Sequence, residues 1–384
     1  MRIAGTATGL FLVASVSRAF AAEPALAWSA WSALPLVLDE QALTPLERMA
    51  LARCGTGEAG LQNTARSLVA RRVLGQPIAE LDELAQMQRA SGEPHPWPRA
   101  WVATLRTIRP EAALTKLERW LGPPQSRRRC GVASATAPDG TQALALVMVD
   151  ALADLDPLPT RARTGQWLLV EARLRAPANS GEVVILGPSG APRSVPTWIE
   201  GRTLRARFAP DRPGEFTVQV LADLGAGLRP VLEATVFADV DAAARSSRAA
   251  PGEDHENGNG TEDELLLRMT NAARASAGLG SLARDARLDE LARHHAASMA
   301  RRGELAHDLG EGDPRERLRA AGIESRHAGE NVARASTVRL VHRSLWASPS
   351  HRANLLFRDY DRVGVAVLRD DRGDAWAVEL FAGE

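Results

Sequence analysis

Residues 241–260 read DAAARSSRAAPGEDHENGNG, a run of small, polar and glycine side chains with no apolar period. Such a run buries too little apolar surface to offset the entropy of ordering it. It divides the chain into units that must each build their own core, and a length of 384 residues calls for two or three of them. The reading is therefore a flexible linker over 241–261, in which His255 and Glu256 are solvated rather than ligands.

The last unit, 262–384, opens on TEDELLLRM, where Thr261 and Glu264 form a capping box and acids fill the first turn. Leu265, Met269 and Ala272 are expected on one apolar face. RLDELARHHAASMARRG repeats the helical period, with Leu288, Ala292, His295 and Met299 on one side. His294 and His295 read as solvated or packed histidines, and His327 and His342 as surface residues. VGVAVL and AWAVELF close the chain as strands. Helices first and strands last predict an α+β layered fold.

Upstream, 155–240 carries short strand signals such as WLLVEARLR, EVVILGP and EFTVQVLAD, separated by PANSG, GPSGAP and APDRPG. That spacing predicts an antiparallel β-sandwich. Segment 40–150 is mostly helical and ends in strands. ALTPLERMALAR has Thr44 as a cap before a first-turn Pro45, and QNTARSLVARRVLG ends on a helix-stopping glycine.

Two segments resemble each other. RCGVASATAPDGTQALALVMV, from Arg129, parallels RVGVAVLRDDRGDAWAVELFA, from Arg362, and both place glycines nine residues apart (Gly131 and Gly140; Gly364 and Gly373). Each follows a comparable helix, so 40–150 reads as a reduced copy of 262–384. Its SGEPHPWPRAW stretch holds Glu93 and His95, the latter expected in a surface loop.

The start, MRIAGTATGLFLVASVSRAFAAEP, has a basic residue, a short apolar run and Ala19-Phe20-Ala21, which fit a cleaved leader over 1–21. Export to the periplasm or exterior is the expectation, with no transmembrane segment after the leader. Lys plus Arg equals Asp plus Glu at 47 each, which excludes a strongly basic nucleic-acid binder. Cys54 and Cys130 are the two cysteines. In an exported chain they either pair or remain as two buried thiols, and spacing does not choose.

Chemistry concentrates at His307 in GELAHD, Glu330 in AGENVA and His351 in SPSHRANLL. Ser348 can cap a short helix that begins at Pro349, which puts His351 in its first turn. The helix N-terminus disfavours imidazolium, so a neutral ring results, able to bind a divalent metal or accept a proton. Two neutral imidazoles and Glu330 suit Zn²⁺ or another divalent ion with an open position, Glu330 taking a proton from bound water. The plainer alternative is a hydrogen-bonded cluster that holds loops together. No Ser-His-Asp arrangement, phosphate-cradling loop or nucleotide fingerprint stands out.

LLLRMTNAARASAGLGSL, LDELARHHAASMARRGELAHD, AGENVA, SLWASPSHRANLL and RVGVAVL…AWAVELFA, in that order, resemble the CAP superfamily of cysteine-rich secretory, antigen 5 and pathogenesis-related proteins. The likeness is to its short, disulfide-free bacterial branch. It implies an α-β-α sandwich with a cleft of two histidines and two acids. His307, Glu330 and His351 match the first histidine, the GEN glutamate and the second histidine, with Asn331, Ser348 and Asn354 in support. The family's second glutamate follows a tryptophan as WxxE, but Trp346 leads to Pro349 here. The expected function is a binding module for a metal, lipid, peptide or cell-wall ligand, or for an envelope or extracellular protein. The alternative is a metal-dependent hydrolase that uses His307, Glu330 and His351.

Overall fold

A computed structural model describes residues 27–33, 38–77, 79–105, 110–137, 139–225, 227–242, 249–257 and 259–384. The leader expected at 1–21 lies outside them. Thr44 accepts the Glu47 N–H and Glu47 returns the bond, so a full capping box starts α1 (Pro45–Cys54). β1 (Thr56–Gly57), α2 (Ala59–Val73), α3 (Leu81–Ala90), β2 (Arg99–Thr104), α4 (Pro110–Leu121), β3 (Arg128–Thr136) and β4 (Gln142–Asp150) follow. The sheet runs β1-β3-β4-β2. Along β4, Leu144, Leu146 and Met148 pack with α1 and α4 residues, whereas Ala143, Ala145, Val147 and Val149 pack with those of α2 and α3. The period-two alternation of an otherwise apolar strand thus serves two helical layers. Cys54 and Cys130 form a disulfide that ties the end of α1 to β3.

Nine short strands come next: β5 (Ala153–Leu155), β6 (Arg161–Ala162), β7 (Leu168–Leu174), β8 (Ser180–Leu186), β9 (Arg193–Val195), β10 (Thr197–Glu200), β11 (Thr203–Phe208), β12 (Gly214–Asp223) and β13 (Leu228–Ala238). They make two sheets, β10-β11-β7-β5 and β6-β13-β12-β8-β9, around one shared apolar cluster that includes Val170, Phe208, Phe216 and Val236. Pairing is antiparallel except for the short β6–β13 bridge.

The last unit has α5 (Glu262–Ser276), β14 (Ala283–Arg284), α6 (Ala286–Arg302), α7 (Pro314–Ala320), β15 (His327–Ala335), α8 (Val338–Ala347), α9 (Pro349–Leu355), β16 (Arg362–Arg369) and β17 (Ala375–Gly383). Its sheet runs β14-β16-β17-β15, the order seen in the first unit. The layers repeat too: Ala375, Ala377 and Phe381 pack with α5 and α8, and Trp376, Val378 and Leu380 with α6. Gly131 and Gly364 occupy the same place. A Cβ on Gly131 would lie 2.0 Å from the Leu61 carbonyl carbon, and one on Gly364 2.1 Å from that of Leu288. Only glycine lets helix and strand backbones approach this closely. Glu47 accepts the Ser134 N–H as Asp263 accepts that of Val367, so a first-turn acid caps the third strand of each sheet.

Four expectations need correction. The buried face of α5 carries Leu266, Met269 and Ala273, a one-residue rotation from the sequence pattern. Part of the expected linker is anchored. Residues 253–257 form a short 3-10 helix, Glu253 pairs with Arg343, and His342 donates to the Pro251 carbonyl at 2.9 Å. His342 is accordingly buried, as is His95, whose ring contacts Glu93 and donates to the Ala153 carbonyl at 2.9 Å. His95 thus sits where the first unit meets the sandwich.

Candidate functional site

β15 delivers Glu330 and Asn331 side by side, and they face opposite layers because strand side chains alternate. Glu330 is fully buried. One oxygen accepts from His307 Nδ1 at 2.9 Å and the other from Arg317 Nη2 at 2.6 Å. Arg317, on α7, also donates to the His307 carbonyl at 3.2 Å, so it holds both members of the pair. Burial alone would push the Glu330 carboxyl up. The His307 hydrogen bond and the Arg317 charge outweigh it and hold the group below its ordinary range. An ionised carboxylate only accepts, so His307 donates to it from Nδ1–H and Nε2 lies outside the pair. The His307 side chain keeps 20% of its exposure.

His351 is the third residue of α9, whose first residue is Pro349. Burial drives its ring down to about 3, with a further lowering from His307, so it is neutral at any ordinary pH. Its helix lies against the strand that carries Glu330, through bonds made by Asn354 and Asn331. Ser348 stands at the N-cap position but makes no side-chain cap, contrary to the expectation. Its hydroxyl instead accepts from Gln219 of β12 at 3.3 Å. Asn354 donates to the Glu330 carbonyl at 3.1 Å and to Asn331 Oδ1 at 3.0 Å. Asn331 in turn donates to the His351 carbonyl at 3.2 Å, so both asparagines fasten α9 to β15. His295 lies beneath, fully buried and donating to the Ala306 carbonyl at 2.8 Å, while His294 is exposed.

Sequence reading missed two members. Arg317 lies in PRERLRA, a string that looks like any solvated helix. Glu379 lies in AWAVELFA, where one acid interrupts an apolar central strand, and that interruption is the signal. Glu379 is fully buried, accepting from Thr270 and, at 3.1 Å, from Asn331. Burial raises its carboxyl to about 7. Its partners are Thr270 and Asn331, so it holds the asparagine that fastens α9 to β15.

Glu379 gives a signed prediction. A carboxyl at about 7 in the fold, against an ordinary 4.5, holds its proton more tightly when folded. Its contribution is complete below pH 4.5 and is lost as pH rises through about 7. Stability should fall by about 3 kcal/mol across that window. Glu379→Gln should flatten the fall, as read by urea unfolding followed through β17 amide exchange. An unchanged slope in the variant rules out this assignment.

Both Glu330 oxygens are engaged, so a metal here would be held by the imidazoles of His307 and His351, with Glu330 orienting His307. Among the described residues no group of three or more His, Cys, Asp or Glu is arranged to hold a metal ion. A concavity of about 400 Å³ lies between α7 and the start of β15, lined by Arg315, Leu318 and Ile323 among others, and includes none of the three cleft residues.

The first unit lacks this equipment. Glu330 pairs with Leu380, which faces Gly364; by the same pairings Ala100 faces Val147, which faces Gly131. Alanine therefore stands where the glutamate would. α4 leads into β3 without a helix like α9 between them.

Residues 267–381 match the family model described as the cysteine-rich secretory protein family, CAP. Among solved structures, an outer surface protein from Borrelia burgdorferi aligns at 22% identity, covering 32% of this chain and 92% of its own, with a TM-score of 0.31. An extracellular protein containing a SCP domain from Bacillus anthracis aligns at 14% identity over 70% of this chain and 92% of its own, TM-score 0.30. A cysteine-rich secretory protein from Staphylococcus aureus aligns at 15% identity over 62% and 81%, TM-score 0.28. No curated protein matches the chain.

Proposed function

From a CAP domain in the C-terminal third of the chain, we propose an exported binding module whose ligand is taken at the His307–Glu330–His351 cleft. The reading rests on one observation: Arg317 and Glu330 hold His307 through its Nδ1, which keeps Nε2 outside that pair, and α9, held to β15 through Asn331, brings up a neutral imidazole, His351. Two such nitrogens suit a divalent cation such as Zn²⁺ or a ligand that offers hydrogen-bond donors. Hydrolysis is less well supported. The carboxylate that would act as general base already accepts from His307 and Arg317, and its lowered proton affinity makes it a poor acceptor. Residues 40–150 are read as a second, unequipped copy of the same layered fold that serves as scaffold.

Export is supported by the Cys54–Cys130 disulfide, which is at home in an oxidising compartment. No helix among the described residues is long and apolar enough to cross a membrane. Trp167 and Trp198 on the sandwich keep 72% and 61% of their exposure, apolar surface of the kind that partners cover.

Zinc titration of the full chain tests the reading. Zn²⁺ at 100 times its dissociation constant should stabilise the fold by about 2.7 kcal/mol. His307→Ala or His351→Ala should remove that gain, and His294→Ala should not. Equal stabilisation of all three variants would place the metal elsewhere.

A further inference from the structure

Gln219 is a fully buried amide in the middle of β12, within the otherwise apolar-alternating EFTVQVLAD. A primary amide in such a place needs partners, and those of Gln219 lie on two units. Its Oε1 accepts the Ser350 N–H of α9 at 2.9 Å. Its Nε2 donates to Ser348 Oγ at 3.3 Å and to Glu233 Oε1, its cross-strand neighbour, at 2.6 Å. The other Glu233 oxygen accepts from Arg89 of α3 at 3.0 Å. Ionised Glu233 only accepts and the Ser350 N–H only donates, so one orientation of the Gln219 amide satisfies both. The bonds form a continuous line through three units: Arg89, Glu233, Gln219, Ser350.

The line ends one residue before His351. α9 has seven residues and no side-chain cap of its own, and a helix so short does not hold itself. Asn331 and Asn354 secure one side of it, and Gln219 secures from the sandwich a first-turn N–H that has no partner within the helix. We propose that Gln219 is a positioning residue for His351, through which docking of the sandwich and the first unit controls the cleft. This rests on the cleft being the binding site. Docking and ligand binding are then linked: each strengthens the other by the same factor.

The test uses the full chain and three variants, Gln219→Met, Arg89→Met and the double. Gln219→Met keeps the volume but removes all three bonds. Hydrogen exchange at the first-turn amides of α9 should speed up about five- to tenfold, with β15 and β17 unchanged. Arg89→Met lies on another unit, yet should speed the same amides about two- to threefold and add nothing to Gln219→Met, because both act through one line. Zn²⁺ affinity, measured in parallel, should fall by the same factors. Unchanged α9 exchange in Gln219→Met overturns the proposal, as do additive effects of the two substitutions. If Gln219→Met does not fold, Arg89→Met at its partly exposed site decides alone: faster α9 exchange supports the line and unchanged exchange overturns it. Absence of Zn²⁺ binding in the unaltered protein would count against the binding reading, while the exchange results still decide whether Gln219 holds α9.

Discussion

Arg317→Met is expected to cost the C-terminal unit about 3–5 kcal/mol, the loss typical when one partner of a buried ion pair is removed. The reason is what remains. Glu330 has no exposed surface on its side chain, and Arg317 is its one guanidinium or ammonium partner among the described residues. Without it the carboxylate must either stay charged in the interior or take up a proton. A protonated Glu330 can donate, so His307 Nδ1 would lose its obligatory acceptor and its tautomer would no longer be fixed. Two readouts should therefore move together: unfolding followed through β15 and β17 amides, and the ring-nitrogen shifts of His307. Adding Glu330→Gln to Arg317→Met should recover part of the stability, since the orphan charge is gone, but not the fixed tautomer. A loss below about 1 kcal/mol would mean that water already relieves Glu330 and that the pair is not the keystone described above.

Reducing the Cys54–Cys130 disulfide, or replacing Cys54 with serine, is expected to destabilise the first unit by roughly 4 kcal/mol. The bond closes a loop with a sequence separation of 76, and restricting the unfolded chain over that length is worth about this much in the chain-entropy account. The loss should be local. Amides of β3 and β4 should exchange faster under reductant while those of β16 and β17 keep their protection, because the last unit contains no cysteine. The corresponding position there is Asn271, counted from the two capping threonines. It clips the loop before β14 to α5 through both directions of hydrogen bonding with Leu282. Equal loss of protection in both units would instead show that they unfold as one.

The sequence displays what depends on neighbours along the chain. Capping boxes at Thr44 and Thr261, the apolar side of α6, the paired glycines of the two hairpins and the start of α9 at Pro349 all follow from spacing of a few residues. The contact of His307 with Glu330 joins two of the short motifs read in order. What stays hidden depends on partners far away. Arg317 is indistinguishable from its exposed neighbours until α7 is laid against β15. Gln219 meets Ser350 across 131 positions. His342 looks like a surface residue because its partner, the Pro251 carbonyl, carries no side-chain signature, and His95 because the Ala153 carbonyl it meets lies 58 positions away. The face of α5 was one residue out because Leu265, Leu266 and Leu267 are consecutive, and only packing against the sheet selects the middle one. The Ser348 cap failed for a related reason: a competing donor from the sandwich claims the hydroxyl.

The alanine that stands in for glutamate on β2, together with the missing helix between α4 and β3, has a practical consequence. Each molecule carries its own blank: a second layered body of like build and no cleft chemistry, present at identical concentration in every experiment. A reagent that recognises the histidine cleft must saturate at one equivalent per chain, whereas one that merely favours the shared architecture should saturate at two.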